Sequence, residues 1–159
     1  MSFLDMDERL IDLAGKVDFV YSPLVDNKEF PHDVDVTLVE GAVSSEEDLH
    51  KIQVIRARTK CLVSLGDCAV TANVPGMRNP FPLMAVYDRA YRENITLDPG
   101  VPNDVVPRLL PHARPVHEVV TVDVFVPGCP PSADTIYEAV NALLEGRHPD
   151  LKAMTRFGA

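Results

Sequence analysis

With 159 residues, of which 46% are hydrophobic, the chain is long enough to bury one core and too short for two domains of ordinary size. Its formal net charge of -9 argues against a nucleic-acid partner, because the surface has too little positive charge to replace the counterions of phosphates. The sequence shows neither a signal peptide nor an apolar run near the ~18 residues of a spanning helix. We therefore expect a cytoplasmic protein without a membrane span.

The first half of the chain alternates helix and strand patterns. Ser44 and Glu47 have the spacing of a capping box, and apolar residues follow them at helical intervals. The predicted elements in this half are a helix over Ser2–Lys16, a strand at Val17–Tyr21, a strand at Val34–Glu40, a helix from Ser44 that carries Leu49, Ile52 and Ile55, and a strand at Cys61–Leu65.

The second half is interrupted by prolines between residues 71 and 118. Ser132 is a candidate N-cap of a last helix, and Gly146 supplies a stop signal at its end. The predicted elements here are a helical segment over Leu83–Asn94, an extended segment at Val116–Val120, a strand at Val122–Val126 and the helix after Ser132.

Strands that alternate with helices indicate an open α/β sheet with parallel strands. In such a sheet ligands bind at the loops beyond the carboxyl ends of the strands. Cys68 lies in such a loop after the strand that ends at Leu65, and Cys129 lies in another after the strand that ends at Val126. Cys129 directly follows Gly128, and Cys68 is two residues after Gly66. A glycine at these positions lets the backbone and a ligand approach each other closely.

The three cysteines differ in their sequence settings. An odd number of cysteines without a secretory signal makes a disulfide framework a poor explanation. Cys61 stands inside a strand pattern and is predicted to be a small buried side chain. For Cys68 and Cys129 local chemistry leaves a metal or redox role and a structural role equally open, and zinc is one of the metals it allows. The five histidines are predicted to be solvated or structural.

Several segments together resemble a known family. SFLDMDERL, VEGAVSSEE, LVSLGDCAVTANVPGMRN and PVHEVVTVDVFVPGCPP are similar to the small subunit of soluble NAD-reducing, or bidirectional, NiFe hydrogenases, nearly end to end. More distantly they resemble the cluster-bearing small subunit of respiratory NADH:quinone oxidoreductase. The resemblance implies a flavodoxin-like open parallel sheet, an iron-sulfur domain over residues 1–146 and a C-terminal tail over residues 147–159.

The resemblance also implies site residues. Cys68 and Cys129 match two of the four ligands of a 4Fe-4S cluster, and the other two are expected in a Cys-x-x-Cys loop after a first strand upstream of Met1. Glu40 matches a position near the cluster that is suited to relaying protons. Arg78 and Asn79 are candidates for hydrogen bonds near the cluster or the subunit interface.

The implied function is electron transfer inside a hydrogen:NAD oxidoreductase, with no catalysis by this chain alone. Its expected partners are a large subunit with the NiFe centre and diaphorase subunits that bind NAD, FMN and further iron-sulfur clusters. One alternative is the related subunit of a respiratory or membrane-hydrogenase complex. Another is a flavodoxin-like module that binds a flavin itself.

Overall fold

A parallel sheet forms the centre of the protein. The structure, a computed structural model, describes residues 4–22 and 25–155, and in that part of the chain the sheet has three strands in the order β1-β3-β5. The five strands of the described residues are β1 (Val34–Glu40), β2 (Val43–Ser45), β3 (Thr59–Leu65), β4 (Leu109–Arg114) and β5 (Val124–Val126). Within the same ranges the α-helices are α1 (Glu8–Ala14), α2 (Glu46–Arg58), α3 (Asp67–Thr71), α4 (Asn73–Gly76), α5 (Leu83–Asp88) and α6 (Ala133–Leu144).

The register brings the carboxyl ends of the parallel strands to one edge. Glu40 is opposite Leu65, and Leu65 is opposite Val126. The predicted flavodoxin-like open parallel sheet is therefore confirmed, and the chain that follows each of these strands starts from the same edge.

Helices cover both faces of the sheet. Leu62 and Val63 are consecutive residues of β3, so the pleat sends their side chains to opposite faces. Leu62 packs in a cluster with Ile52 of α2, whereas Val63 packs with Ala139 of α6. Both of these β3 side chains are fully buried, so the sheet is the middle layer of an α/β/α arrangement.

The amino-terminal helix is shorter than the predicted span Ser2–Lys16. A 3-10 turn over Leu4–Met6 precedes α1, and Ser2 and Phe3 lie outside the described residues. Met6 and Leu13 are buried against Ile136, so the predicted amphipathic face packs on α6.

The N-cap of α2 lies one residue later than predicted. Ser45 Oγ accepts a hydrogen bond from the backbone of Asp48 at 3.1 Å, and an Asp48 carboxylate oxygen accepts one from the Ser45 backbone at 2.9 Å. Asp48 closes the capping box in place of Glu47. Both serine–acid pairs have the spacing of the motif, and Ser45 is the cap because the helix begins at the next residue, Glu46. The predicted cap Ser132 is confirmed, since its side chain accepts from the backbone three residues on.

Two predicted extended segments are wrong. Val17–Tyr21 is irregular, and its apolar side chains Phe19 and Val20 are exposed. Val116–Val120 begins instead with a 3-10 helix over Val116–Glu118. Branched and apolar residues favour strands only where a sheet surface is available to them, and here the tertiary context overrides that preference. The helical segment Leu83–Asn94 is confirmed as α5, which continues into a π-helix over Arg89–Glu93.

The chain after Gly146 returns to the α6 side of the sheet. Leu151 is buried in the cluster that contains Val126, and the Thr135 hydroxyl donates to the Met154 carbonyl at 3.0 Å. Within residues 4–22 and 25–155, none of the helices has the length and apolar character needed to cross a membrane.

Candidate functional site

Two cysteine-bearing turns lie side by side at the carboxyl edge of the sheet. One follows β3 and contains Gly66, Asp67 and Cys68, and the other follows β5 and contains Gly128 and Cys129. Since β3 and β5 are neighbours in register, the structure brings together the two turns that the sequence singled out. Cys68 stands in the first turn of the short helix α3, whereas the sequence placed it in a loop.

Hydrogen bonds join the two turns to each other. The Gly66 amide donates to the Val126 carbonyl at 2.7 Å, and the Asp67 amide donates to the Gly128 carbonyl at 2.8 Å. The Gly128 amide in turn donates to an Asp67 carboxylate oxygen at 2.7 Å. Asp67 is 4% exposed, so these bonds form in the interior and fix the relative position of the turns that carry the thiols.

Glycine is required in the second turn. Gly128 has a φ of +143°, and a Cβ built on it would lie 2.6 Å from Pro131 Cα. No side chain fits at that distance without moving backbone. The close packing of Gly128 against Pro131 gives the chain its path around the second cysteine, and the peptide bond between Cys129 and Pro130 is cis.

The two thiols differ in exposure. Cys68 is half-buried and Cys129 is exposed. Asn73, the first residue of α4, donates from its side-chain amide to Cys129 Sγ at 3.7 Å. This contact links Cys129 to the chain that follows Cys68, and neither the glycine pattern nor the cysteine spacing predicts it.

Cys61 lies away from this edge, as predicted. It is near the amino end of β3, four residues before Leu65, which at strand rise corresponds to about 13 Å. Burial raises the pKa of the Cys61 thiol, and the nearby Asp123 carboxylate raises it further. A ligating sulfur must be a thiolate, so the surroundings of Cys61 disfavour metal binding.

The donor set fits two corners of an iron-sulfur cubane. Such a cluster takes one cysteine thiolate for each of its four irons. Cys68 and Cys129 present two thiols on neighbouring turns whose backbone positions are fixed by hydrogen bonds. Within the described part of the chain, no group of three or more histidine, cysteine or acidic side chains is placed to hold a metal ion. Cys68 and Cys129 are the residues here that could each supply one such thiolate.

Glu40 lies at the same edge as the thiols. It is the last residue of β1, it is opposite Leu65, and its side chain is exposed. Its position is compatible with the predicted proton relay, which stays a prediction.

The side chains of Arg78 and Asn79 form hydrogen bonds with the backbone of the small antiparallel sheet formed by β2 and β4. The Arg78 guanidinium donates to the carbonyls of Leu110, Ser44 and Pro111 at 2.8, 3.2 and 3.2 Å. The Asn79 amide exchanges two hydrogen bonds of 2.8 Å with the backbone of Ala113. The side chain that donates to a cysteine sulfur in the described structure is that of Asn73, and the roles predicted for Arg78 and Asn79 near the cluster or the subunit interface stay predictions.

The histidines do not converge on the site. All five are exposed, in agreement with the prediction. His112 lines a cleft of about 630 Å³ between α4 and β4, together with Asn73, Asn79 and Ala113. His117 stacks edge-on against Phe125, with ring centroids 5.7 Å apart.

A family model and several known proteins match this chain. Residues 1–143 match the family model described as NADH ubiquinone oxidoreductase, 20 Kd subunit. The delta subunit of the NAD-reducing hydrogenase HoxS of Cupriavidus necator is 42% identical over 156 residues, which cover 95% of this chain and 75% of the relative. The predicted resemblance to small subunits of NAD-reducing hydrogenases is confirmed.

Methanogen proteins are also similar. One subunit of the F420-non-reducing hydrogenase vhu of Methanocaldococcus jannaschii is 34% identical over 95% of this chain, which spans 53% of that relative. A solved chain from an NAD+-reducing NiFe hydrogenase in the H2-reduced state superimposes with a TM-score of 0.93 at 38% identity, covering 99% of this chain and 90% of that one. The chain belongs to the family of the 20 Kd subunit of NADH ubiquinone oxidoreductase.

Proposed function

We propose that this chain is the electron-transfer small subunit of a NAD-reducing NiFe hydrogenase. In this proposal it holds the 4Fe-4S cluster proximal to the NiFe site, which belongs to a separate large subunit. Cys68 and Cys129 supply two of the cluster's ligands, and two further cysteines are expected upstream of Met1. The similarity to the delta subunit from Cupriavidus necator supports this assignment.

The observation that carries the proposal is the hydrogen-bonded pair of turns at the carboxyl edge. The buried Asp67 joins the turn of Cys68 to the turn of Cys129 through its carboxylate and its own amide. An arrangement of this kind holds two sulfurs in place before a ligand binds, so little further ordering is needed on binding. A structural cysteine needs no such arrangement, as Cys61 illustrates.

In this proposal each subunit of the complex has its own cofactors. When bound, the cluster supplies a site that accepts and returns one electron at a time. The residues of this chain hold the sulfurs, and we assign hydrogen cleavage to the large subunit. NAD, FMN and further iron-sulfur clusters belong to diaphorase partners, and the whole complex is expected to be cytoplasmic.

A surface suited to the large subunit begins directly after the cysteine turn of α3. Val74, Met77, Phe81 and Met84 are 57%, 69%, 61% and 57% exposed, although all are large apolar side chains. Subunit interfaces of permanent complexes bury about 2,000 Å² or more and are rich in apolar groups. We expect this segment to be covered when the large subunit is bound, which hydrogen–deuterium exchange of the free chain and the complex would measure.

Glu40 is proposed as a proton relay at the same edge. Glu40→Gln removes the titrating group and keeps the size of the side chain, so hydrogen-dependent NAD reduction should fall while cluster content stays unchanged. Glu29→Gln is the matched control, because Glu29 is also an exposed acid but lies in the loop before β1.

Activity of the complete complex tests the function. Cys68→Ala and Cys129→Ala should each abolish hydrogen-dependent NAD reduction, because either change removes a thiolate from an iron. Cys61→Ala should retain most of the activity. Equal loss in all three variants at equal yield of complex would contradict the assignment.

A second candidate is the related subunit of a respiratory NADH:quinone oxidoreductase or of a membrane-hydrogenase complex. The description of the matching family favours it. The partner distinguishes the two functions, because a NiFe large subunit carries two pairs of metal-binding cysteines and its respiratory relatives lack them. Purification of the native complex with nickel analysis separates a hydrogenase from the respiratory enzyme: nickel supports a hydrogenase, and its absence supports the respiratory complex. Hydrogen-dependent NAD reduction by a nickel-containing complex then supports the first candidate over a membrane hydrogenase.

A further inference from the structure

We infer that Asn73 tunes the reduction potential of the cluster by donating a side-chain hydrogen bond to Cys129 Sγ. The inference rests on the proposed function, because it takes Cys129 to be a cluster ligand. Asn73 is not itself a ligand. Its role is to set how much negative charge the sulfur carries.

The backbone around Asn73 directs its side chain toward the second turn. Ala72 ends α3 in the left-handed conformation, with a φ of +58°, and is 4% exposed. Such a backbone is unfavourable for alanine and persists only where the surrounding structure holds it. The chain therefore changes direction between α3 and α4, and the Asn73 amide comes to lie 3.7 Å from Cys129 Sγ.

The segment that carries Asn73 is anchored at its other end. Asn79 forms two hydrogen bonds with the buried Ala113 backbone, and Arg78 donates to three carbonyls of the β2–β4 region. Gly76 connects the two ends, because its amide donates to the Ala72 carbonyl and its carbonyl accepts from the Asn79 amide. Residues 72–79 thus form a short fixed segment between the small sheet and Cys129, and these contacts hold the backbone of Asn73 beside the sulfur.

The expected change in reduction potential follows from the negative charge on the cysteine sulfurs. Reduction adds an electron to the cluster and part of that charge reaches the cysteine sulfurs, so an N–H donor to sulfur stabilises the reduced form more than the oxidised form. Removing the donor should therefore make reduction harder. We expect a decrease of roughly threefold to tenfold in the equilibrium constant for one-electron reduction, where tenfold is about 59 mV.

Asn73→Leu is the direct test, because leucine is close in size to asparagine and has no donor. Asn73→Asp keeps the shape and replaces the donor with a negative charge, so its potential should lie below that of Asn73→Leu. Asn141→Leu is the matched control, since Asn141 is also a half-buried asparagine but lies in the second half of α6, with no hydrogen bond to a cysteine in the described structure. All three variants are made in the full-length subunit and purified within its complex.

The readouts are the midpoint potential of the proximal cluster, from a redox titration followed by electron paramagnetic resonance, and the iron–sulfur stretching frequencies by resonance Raman. The inference predicts the order wild type, Asn73→Leu, Asn73→Asp from highest to lowest potential, with Asn141→Leu equal to wild type. Unchanged stretching frequencies and an unchanged potential in Asn73→Leu, at full iron content, would overturn it. Full iron content in Cys129→Ala would instead overturn the proposed function, so the two failures are distinguishable.

Discussion

The two ends of β3 use polar groups for different purposes. At the amino end, the Arg56 guanidinium donates to the carbonyls of Thr59, Lys60 and Thr121 and to the Asp123 carboxylate. These contacts are all made within the chain, and they tie α2 to β3 and to the start of β5. At the carboxyl end, backbone groups are paired between the turns while two thiols remain at the surface of the sheet edge.

The three cysteines have different surroundings at the two ends of β3. The thiol of Cys61, beside the Arg56–Asp123 pair, has a raised pKa and packs with Val63, so it acts as a small apolar side chain. Cys68 and Cys129 follow glycine-containing turns and are held by bonds that do not involve their own sulfurs. One strand therefore carries a structural cysteine at its beginning and leads to a candidate ligand at its end. Substitutions at each end of β3 test whether the two ends are separable.

The largest effect on stability is expected from Gly128→Ala. The added methyl group would overlap the backbone of Pro131 at 2.6 Å, and the backbone angle is unfavourable for alanine, so we expect a loss of about 3 kcal/mol of unfolding free energy. Gly41→Ala is the control, because Gly41 also has a positive φ but a Cβ there meets nothing within 4 Å. Urea unfolding measures both, and equal losses would show that crowding against Pro131 does not hold the turn.

Asp67→Ala should have the next largest effect. It leaves the buried Gly128 amide without its carboxylate acceptor, which should cost about 2 kcal/mol. Asp67→Asn keeps an acceptor oxygen at that position and should cost less. The Cys129 turn should also become more open to solvent in Asp67→Ala, which amide hydrogen exchange at Gly128 would detect. Protection of that amide equal to wild type would contradict the role given to Asp67.

Asp123→Asn should have a smaller effect, and one that depends on pH. Burial alone would raise the pKa of Asp123, but hydrogen bonds from the Leu62 amide and Arg56, with the charge of Arg56, outweigh burial and lower it. A lowered pKa means that ionised Asp123 stabilises the fold above its unfolded pKa of about 3.9 and that this contribution is lost as the pH falls below it.

The side chain of Asp123 is 40% exposed, so solvent screening reduces the effect to about 1 kcal/mol at pH 7. Urea unfolding of Asp123→Asn and wild type should differ by this amount at neutral pH, and the difference should shrink as the pH falls below about 3.9. Asp35→Asn is the control, since its pair with Lys60 is 81% and 67% exposed and should contribute little. A difference that persists undiminished at pH 3 would show that the charge of Asp123 is not its source.

The features that the sequence predicted correctly have local signals. Val34–Glu40 and Cys61–Leu65 are rich in branched apolar residues and each is followed by a glycine, and Ser132 stands directly before a helical pattern. The position of Cys68 and Cys129 at one sheet edge followed from the alternation of strands and helices, because parallel strands end at the same edge.

The features that were missed depend on contacts between distant parts of the chain. Asn73 and Cys129 are 56 residues apart, and Asp67 and Gly128 are 61 residues apart, so no local pattern marks either pair. The strand β4, with the sequence LLPHAR, contains a proline and lacks the alternation that identifies a strand. It forms because β2 pairs with it and Arg78 binds its carbonyls, which only the folded chain brings together.

The central claim is that the carboxyl end of β3, and not its amino end, holds a cluster. Its most direct test is the iron and acid-labile sulfide content of the purified complex carrying Cys68→Ala, Cys129→Ala or Cys61→Ala in the full-length subunit. The account predicts that each of the first two variants loses about four iron and four sulfide relative to wild type, the content of one cubane. Cys61→Ala should equal wild type. Full iron and sulfide in Cys68→Ala and Cys129→Ala would contradict the account.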